Sequence, residues 1–301
     1  MKSSRVNWLC LLLVATVFCT PGRAADPIAF DGGRALDHVR ALVGFGPRPP
    51  GSAAIEQTRA YIRRQLEAVG VKTVDQSFDA DTPLGTVSMV NLRATIPGDR
   101  PERIVIGGHY DTKLFRQFRF VGANDAGSST AFLIELGRVL KPRKNPFTIE
   151  LVFFDGEEAF IQWAGTDHTY GSRHYVEAAR RAGELASIKT MILVDMIGDR
   201  DLNIRRETLS TPWLTDLVWE SAKALKMDAY FIDERMEVED DHVAFLRAGI
   251  PAVDIIDLDY PPWHTPDDTL DKVSARSMEI VGTVLLDALP KIEARLAKRA
   301  P

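Results

Sequence analysis

The stretch Leu151-Val152-Phe153-Phe154-Asp155-Gly156-Glu157-Glu158 joins a continuous apolar run directly to three carboxylates. A short apolar run that ends at turn residues is typical of a strand buried on both faces, the kind of strand that parallel sheets contain. In open α/β sheets, ligands bind beyond the carboxyl ends of the strands, which is where these acidic residues would lie. The stretch therefore predicts the fold class and the position of a site together.

Similar apolar runs alternate with helical patterns along the rest of the chain. We predict strands at 71–78, 87–94, 103–108, 149–154, 191–194 and 251–258, and helices at 33–43, 53–69, 126–140, 171–182, 212–225 and 274–298. Strands that alternate with helices predict a mostly parallel central sheet with helices on both faces. Because no repeat or linker interrupts the pattern, we expect a single α/β domain.

The N-terminal segment has a different character from the rest of the chain. A short basic start precedes an apolar run at 8–18, which ends at Pro21-Gly22 and is followed by small residues. This order is that of a cleaved secretory signal, and the run is too short to span a bilayer as a helix. We therefore expect a signal peptide at 1–24, a catalytic domain at 25–301 and a periplasmic or secreted protein, with an uncleaved anchor as the alternative.

Composition excludes several classes of protein. The chain has 45% hydrophobic and 26% charged residues, which is ordinary for a globular protein. A net charge of −5 with both signs mixed along the chain argues against a nucleic-acid partner, which needs a clustered basic face. Cys10 and Cys19 are the only cysteines, and both lie in the predicted signal, so we expect no disulfide in the mature protein. We also expect no membrane span in the mature chain, and a monomer.

Acidic and imidazole side chains follow the predicted strands. They are His109, Asp111, Asp155, Glu157, Glu158, Asp195 and His264, and Asp125 begins the helix after the strand at 103–108. Such groups on one edge of a sheet would repel each other or lose solvation unless a cation held them. They are ligand types that zinc accepts, and three protein ligands leave an open catalytic position. Each residue alone could be a helix cap or an ordinary polar group, but together they indicate a metal site.

The adjacent pair Glu157-Glu158 is the most specific local feature. Neighbouring side chains on a turn point apart, so one carboxylate can bind a metal while the other stays free as an acid or base. Two acids close to each other and to a cation tend to have different pKa values, which suits proton transfer near neutral pH. A solvated acidic turn is the alternative, but the apolar strand that runs into the pair favours a site.

Several motifs, in order, resemble those of zinc-dependent aminopeptidases and their relatives. They are Phe-Gly-Pro-Arg-Pro-Pro-Gly-Ser at 45–52, Gly-His-Tyr-Asp at 108–111, Gly-Ala-Asn-Asp at 122–125, Asp-Gly-Glu-Glu at 155–158, Tyr-Gly-Ser-Arg-His at 170–174 and Trp-His-Thr at 263–265. Within that superfamily the chain most resembles the glutaminyl-peptide cyclotransferases, which include animal-type glutaminyl cyclases and bacterial relatives. The discriminating stretches are 153–160 with Trp163, 240–242 with Phe245-Leu246, and Trp263-His264.

The resemblance implies an enzyme that converts the N-terminal glutamine of peptides or proteins to pyroglutamate and releases ammonia. It implies one zinc ion bound by Asp125, Glu158 and His264, with Glu157 as the proton shuttle. Because the glutamine amine attacks its own side-chain amide, the reaction requires no external water. Zinc in the open position would polarise the γ-carbonyl as a Lewis acid.

The resemblance also assigns residues around the substrate. Asp195 and Asp240 would hold the reacting amide nitrogen and stabilise the charge that develops there. Trp163 and Trp263 would form the walls of a small pocket and exclude water. Animal glutaminyl cyclases carry glutamine at the position of Glu239, so we expect a different substrate contact there.

A two-zinc aminopeptidase that hydrolyses N-terminal residues is the alternative. His109 is retained, and in the aminopeptidases this position binds a second zinc ion, with Asp125 bridging the metals and Asp195 completing the set. Glu157 would then activate a metal-bound water against a peptide bond. A binding protein that has lost catalysis is a third class, and nothing in the sequence supports it, because the ligands and the shuttle carboxylate are all present.

Overall fold

A mixed six-stranded sheet forms the centre of the fold. The computed structural model describes residues 28–298, so the predicted signal peptide at 1–24 lies outside the described residues. The strands are β1 (Thr73–Thr82), β2 (Gly85–Ile96), β3 (Arg100–His109), β4 (Phe147–Phe154), β5 (Ile188–Asp195), β6 (Ile204–Glu207), β7 (Phe231–Met236) and β8 (Ala252–Ile256). The order in the main sheet is β1-β2-β4-β3-β5-β8, and β6 pairs with β7 separately.

The parallel part of the sheet carries the site. Strands β4, β3, β5 and β8 run parallel, whereas β2 pairs antiparallel with both β1 and β4. The predicted single-domain, mostly parallel α/β fold is therefore confirmed. Parallel strands bring His109, Phe154, Asp195 and Ile256, their last residues, to one edge of the sheet.

Helices cover both faces of the sheet, as predicted. They are α1 (Gly32–Phe45), α2 (Ala53–Ala68), α3 (Gly127–Leu140), α4 (Tyr170–Arg181), α5 (Pro212–Ala224), α6 (His242–Arg247) and α7 (Ala275–Ala297). The side chains of strand β4 point alternately to the two faces of the sheet. Leu151 and Phe153 belong to the apolar cluster that packs against α1, α2, α3, α5 and α7. Val152 and Phe154 face the opposite way, into the cluster with α4 and α6. Each fully buried side chain of this size contributes about 1.5–3 kcal/mol by removal from water.

Local signals in the sequence set where the helices begin. Asp31, Ser52 and Ser274 precede α1, α2 and α7, and each accepts a hydrogen bond from a backbone N–H in the first turn. Such a cap stabilises a helix by about 1 kcal/mol. Within residues 28–298, no helix is both long and apolar enough to cross a membrane.

Three elements lie where the sequence predicted none. Strands β6 and β7 and helix α6 are short, and β7 includes the first part of the acidic stretch 233–241. Residues 233–236 belong to β7, and α6 begins at His242, so only 237–241 is irregular. Strand β7 escaped prediction because its exposed charged residues leave Phe231 as its one buried side chain.

Candidate active site

Five predicted site residues meet beyond the carboxyl edge of the parallel strands. Within the described residues they form two groups of potential metal donors, His109 with Asp125 and Asp195, and Asp125 with Glu158 and His264. In each group, one donor atom per residue lies within 4.8 Å of the others. Asp125 belongs to both groups, so the chain brings together all the donors that the sequence predicted for one metal and for two.

The two oxygens of Asp125 face different histidines. Asp125 Oδ1 lies 3.2 Å from Nε2 of His109, and Asp125 Oδ2 lies 3.4 Å from Nε2 of His264. Each histidine has a second carboxylate beside it, Asp195 Oδ1 at 3.3 Å from His109 and Glu158 Oε1 at 3.0 Å from His264. Asp125 is therefore placed to bind one cation or to bridge two.

The donor atoms fit a divalent cation. Both ring nitrogens of His109 and Oδ2 of Asp125 are buried and make no hydrogen bond of suitable geometry within the described chain. A buried polar atom without a partner costs about 1–3 kcal/mol, so this arrangement is unfavourable unless something else binds there. Imidazole nitrogen and carboxylate oxygen in threes are the donor sets of catalytic zinc sites.

The pKa shifts point the same way. Burial alone would lower the pKa of His109, but the Asp195 and Glu157 carboxylates raise it well above its usual range. Burial likewise opposes the charge on His264, yet Asp125 and Glu158 raise its pKa to about 9. Each imidazole therefore holds a proton more firmly than a free histidine does, because carboxylates surround it. Because metal ligation requires neutral imidazoles, metal binding would release these protons.

The two acids of the predicted pair point to different places. Glu158 Oε1 lies beside His264, whereas Glu157 belongs to neither donor group and has Oε2 at 3.7 Å from Nδ1 of His109. Burial, with the charges of Asp240 and Glu158, holds the pKa of Glu157 well above its usual range. Glu157 is thus a buried carboxyl group that can carry a proton next to the donor atoms.

The loop before α3 positions Asp125. Asp268 accepts hydrogen bonds from the backbone N–H groups of Asn124, at 2.9 Å, and Asp125, at 3.2 Å. The buried guanidinium of Arg48 donates to the carbonyls of Val121, at 2.7 Å, and Gly122, at 2.9 Å. Arg48 belongs to the predicted motif at 45–52, to which the sequence assigned no role, and Asp268 was not predicted at all.

Glycine is required in this same loop. Gly122 has φ +51°, and a Cβ atom there would lie 1.8 Å from the carbonyl oxygen of Asp125. Any other residue would displace the segment that carries Asp125. The helix that follows has no side-chain cap, so Asp125 does not act as a helix cap, the alternative reading of an acid at this place.

A cavity of about 590 Å³ opens onto these groups. Its lining includes the residues that the family resemblance places around the substrate. They are Trp163, Asp195, Glu239, Asp240 and Trp263. The two tryptophans are 37% and 43% exposed, so they form the rim rather than the floor. Trp163 stacks on His168 at 4.4 Å, and Glu239 pairs with Arg247 at 2.7 Å.

Asp240 and Asp195 interact electrostatically at one side of the cavity. Burial, followed by the charge of Asp195, raises the pKa of Asp240 to about 7. Asp240 Oδ2 is also buried without a hydrogen bond among the described residues. The two carboxylates can therefore accept hydrogen bonds from a ligand, and one proton can be held there near neutral pH.

The fold is of the zinc aminopeptidase type, and the two donor groups could hold a metal ion. Residues 91–289 match the family model described as peptidase family M28. The chain therefore belongs to peptidase family M28, which confirms the resemblance to this superfamily.

Known relatives and solved structures share most of the chain. A glutaminyl-peptide cyclotransferase from Boiga irregularis is 29% identical over 283 residues, covering 81% of this chain and 76% of that protein. A crystal structure of a glutaminyl cyclase from an Acidobacteriales bacterium is 39% identical, with a TM-score of 0.86 over 92% of this chain and 100% of that one. A leucine aminopeptidase precursor from Bacteroides thetaiotaomicron is 27% identical, with a TM-score of 0.80 over 88% of this chain and 99% of that one. The predicted likeness to glutaminyl cyclases is thus confirmed.

Proposed function

We propose that this chain is a zinc-dependent glutaminyl-peptide cyclotransferase, which converts N-terminal glutamine to pyroglutamate and releases ammonia. The observation that carries the proposal is the position of Glu157, a buried carboxyl group free of both donor groups yet beside them in the cavity. The likeness to the Boiga irregularis and Acidobacteriales bacterium proteins supports the same activity.

Asp125, Glu158 and His264 would hold the zinc ion, since each offers a donor atom to one group. When bound, zinc supplies Lewis-acid polarisation of the glutamine γ-carbonyl. The chain's part is to provide three protein ligands, which leave a coordination position for that carbonyl.

Glu157 would move the proton. It accepts a proton from the substrate α-amine as the bond from that nitrogen to the γ-carbonyl carbon forms, and returns it to the side-chain nitrogen as the carbon–nitrogen bond breaks. Ammonia leaves, and no water is consumed. A buried position suits this role because the carboxyl group exchanges a proton without competing solvent.

Asp195 and Asp240 would orient the substrate nitrogen. Both line the cavity and are buried, so they can accept hydrogen bonds from the amide as charge develops on it. Trp163 and Trp263 would cover the bound glutamine from the rim. Glu239, held by Arg247, would face the residues that follow the glutamine.

We further propose export through a signal peptide at 1–24, a catalytic domain at 25–301, and action as a monomer on peptides or proteins with N-terminal glutamine. The order of basic, apolar and small residues at the N-terminus supports export. N-terminal sequencing of the exported protein tests the cleavage site, and size-exclusion chromatography with light scattering tests the monomer.

A two-metal aminopeptidase is the second candidate function. The complete second donor group of His109, Asp125 and Asp195 favours it. Measurement of zinc per chain, with ammonia release from a glutaminyl peptide and amine release from a leucine anilide, separates the two. One zinc ion with ammonia release supports the cyclotransferase, whereas two zinc ions with amine release support the aminopeptidase.

A further inference from the structure

Lys113 is the one lysine or arginine among the described residues that line the cavity. Its Nζ donates a hydrogen bond to the carbonyl of Ala159 at 3.0 Å and lies 3.4 Å from Oε2 of Glu158. The side chain is 16% exposed, so the ammonium group is held at this place. Lys113 lies outside the motifs that indicate the site in the sequence, and the proposed mechanism does not use it.

The two oxygens of Glu158 therefore have different neighbours. Oε1 lies 3.0 Å from Nε2 of His264, on the side of the donor group, whereas Oε2 faces Lys113. A carboxylate with both oxygens free can bind a divalent cation through one oxygen or both. An ammonium group beside Oε2 competes for that oxygen and repels a second cation contact there.

We propose that Lys113 is a positioning residue that restricts Glu158 to one metal–oxygen bond and so keeps a coordination position open for the substrate carbonyl. Catalytic zinc sites need such an open position beside three protein ligands. The effect on turnover rests on the proposed function, but the effect on the metal site does not. The hydrogen bond to Ala159 supplies the fixed point that holds the ammonium group next to Oε2.

Loss of the positive charge has a distinctive consequence. Without it, Oε2 is free to bind the metal, and the coordination number rises. We expect activity to fall about 10–100-fold, the usual effect of losing a partner of a metal ligand. We expect zinc affinity to stay the same or to increase, because a nearby positive charge that opposes cation binding has been removed.

Three substitutions in the full chain separate charge from hydrogen bonding. Lys113→Met removes both, Lys113→Gln keeps a donor for the Ala159 carbonyl without the charge, and Lys113→Arg keeps the charge. Lys189→Met is the matched control, since Lys189 also donates to a backbone carbonyl, that of Ala186 at 2.9 Å, at the opposite end of β5 from Asp195.

The readouts are the zinc dissociation constant, from competition with a chelator, and the visible absorption of the cobalt-loaded protein, which weakens when coordination rises above four. We expect weaker absorption and undiminished zinc affinity for Lys113→Met and Lys113→Gln, and the parental spectrum for Lys113→Arg and Lys189→Met. If Lys113→Met does not fold, the Gln and Arg variants decide the question.

Three results would overturn the role. A parental spectrum in Lys113→Gln would mean that Lys113 only holds the Ala159 carbonyl. A fall in both zinc affinity and activity in the Lys113 variants would contradict the positioning role. Unchanged activity in Lys113→Met and Lys113→Gln would contradict it as well. If the parent protein releases no ammonia from a glutaminyl peptide, the proposed function fails, while the spectrum and the zinc affinity still test Lys113.

Discussion

Asp111 Oδ1 accepts a hydrogen bond from the backbone N–H of Glu157 at 3.1 Å. Asp111 stands just beyond β3 and Glu157 just beyond β4, so the bond joins the ends of two neighbouring parallel strands. The other oxygen of Asp111 accepts the N–H of Glu158 at 3.3 Å. The buried carboxylate of Asp111 thus orients both acids of the pair: Glu158, which belongs to a donor group, and Glu157, which does not.

Substitution of Asp111 tests this orienting role. We expect Asp111→Ala to lower zinc affinity and activity about 10–100-fold, because the loop that carries the ligand Glu158 loses its anchor. Asp111→Asn keeps one oxygen acceptor and should lie between the alanine variant and the parent. Metal content by elemental analysis and ammonia release measure both effects. If Asp111→Ala has the zinc content and activity of the parent, the loop that carries Glu158 keeps its conformation without Asp111.

Glu157→Gln tests the proton shuttle. The amide keeps the size of the side chain but cannot carry the proton, so we expect kcat to fall about 10²–10⁴-fold. Zinc content should not change, because Glu157 belongs to neither donor group. Glu177→Gln, at a half-buried position of α4, is the control for loss of one carboxylate. Loss of metal from the Glu157 variant would mean that Glu157 and Glu158 have exchanged roles.

His109→Ala separates one metal ion from two. For a single-zinc cyclotransferase we expect the variant to keep one zinc ion and most of its activity, since His109 lies outside the group of Asp125, Glu158 and His264. Alanine at any of those three should instead abolish zinc binding and activity, because a site with three protein ligands loses one of them. A fall from two bound zinc ions to one in the His109 variant would favour the aminopeptidase.

The sequence alone predicted the site because the residues lie at the ends of strands. The apolar runs before His109, Asp155 and Asp195 are long and uninterrupted, and parallel strands of this kind end at one edge. Side chains that are far apart in the chain, such as Asp125 and His264, could therefore be placed together without a structure. Their roles came from the family resemblance rather than from the spacing.

The remaining parts depend on loops, which follow no periodic pattern. Asp268 reaches the backbone of Asp125 across 143 positions of the chain, and Lys113 reaches Glu158 from a loop that follows β3. Neither contact has a signal in hydrophobic spacing. Helix α6 is too short to be recognised, although it follows directly after Asp240 and Asp241, and the β6–β7 pair is both short and highly charged.

Glu207, at the end of β6, links stability to pH. Burial alone would raise its pKa, but hydrogen bonds from His242, Ser210 and the N–H of Leu209 outweigh burial and lower the pKa to about 2. A carboxyl group whose pKa is lower in the folded than in the unfolded state stabilises the fold above its unfolded pKa. That stabilisation is complete above about pH 5 and is lost as the pH falls toward 2.

Glu207→Gln should therefore destabilise the protein by about 2–3 kcal/mol at pH 7, and the difference from the parent should narrow below pH 4. Urea unfolding of both proteins at a series of pH values measures this change. Glu220→Gln, on the exposed face of α5, should change stability by less than about 0.5 kcal/mol at every pH. A difference for Glu207→Gln that stays constant with pH would show that lost packing, rather than the carboxylate, causes it.

The products formed from three peptides test the central claim most directly. The purified chain is incubated with peptides that begin with Gln, Asn and Leu, and each product is weighed by mass spectrometry. Cyclotransfer predicts that only the Gln peptide loses the mass of one ammonia, with a blocked N-terminus and every peptide bond intact. The rate with the Gln peptide should rise with pH as the substrate α-amine, which has a pKa of about 7.7–8.0, loses its proton. The Asn peptide should react poorly, because one fewer methylene strains the ring and misplaces the carbonyl. Release of free Gln or Leu, with no loss of ammonia from the intact peptide, would contradict the account and identify a hydrolase.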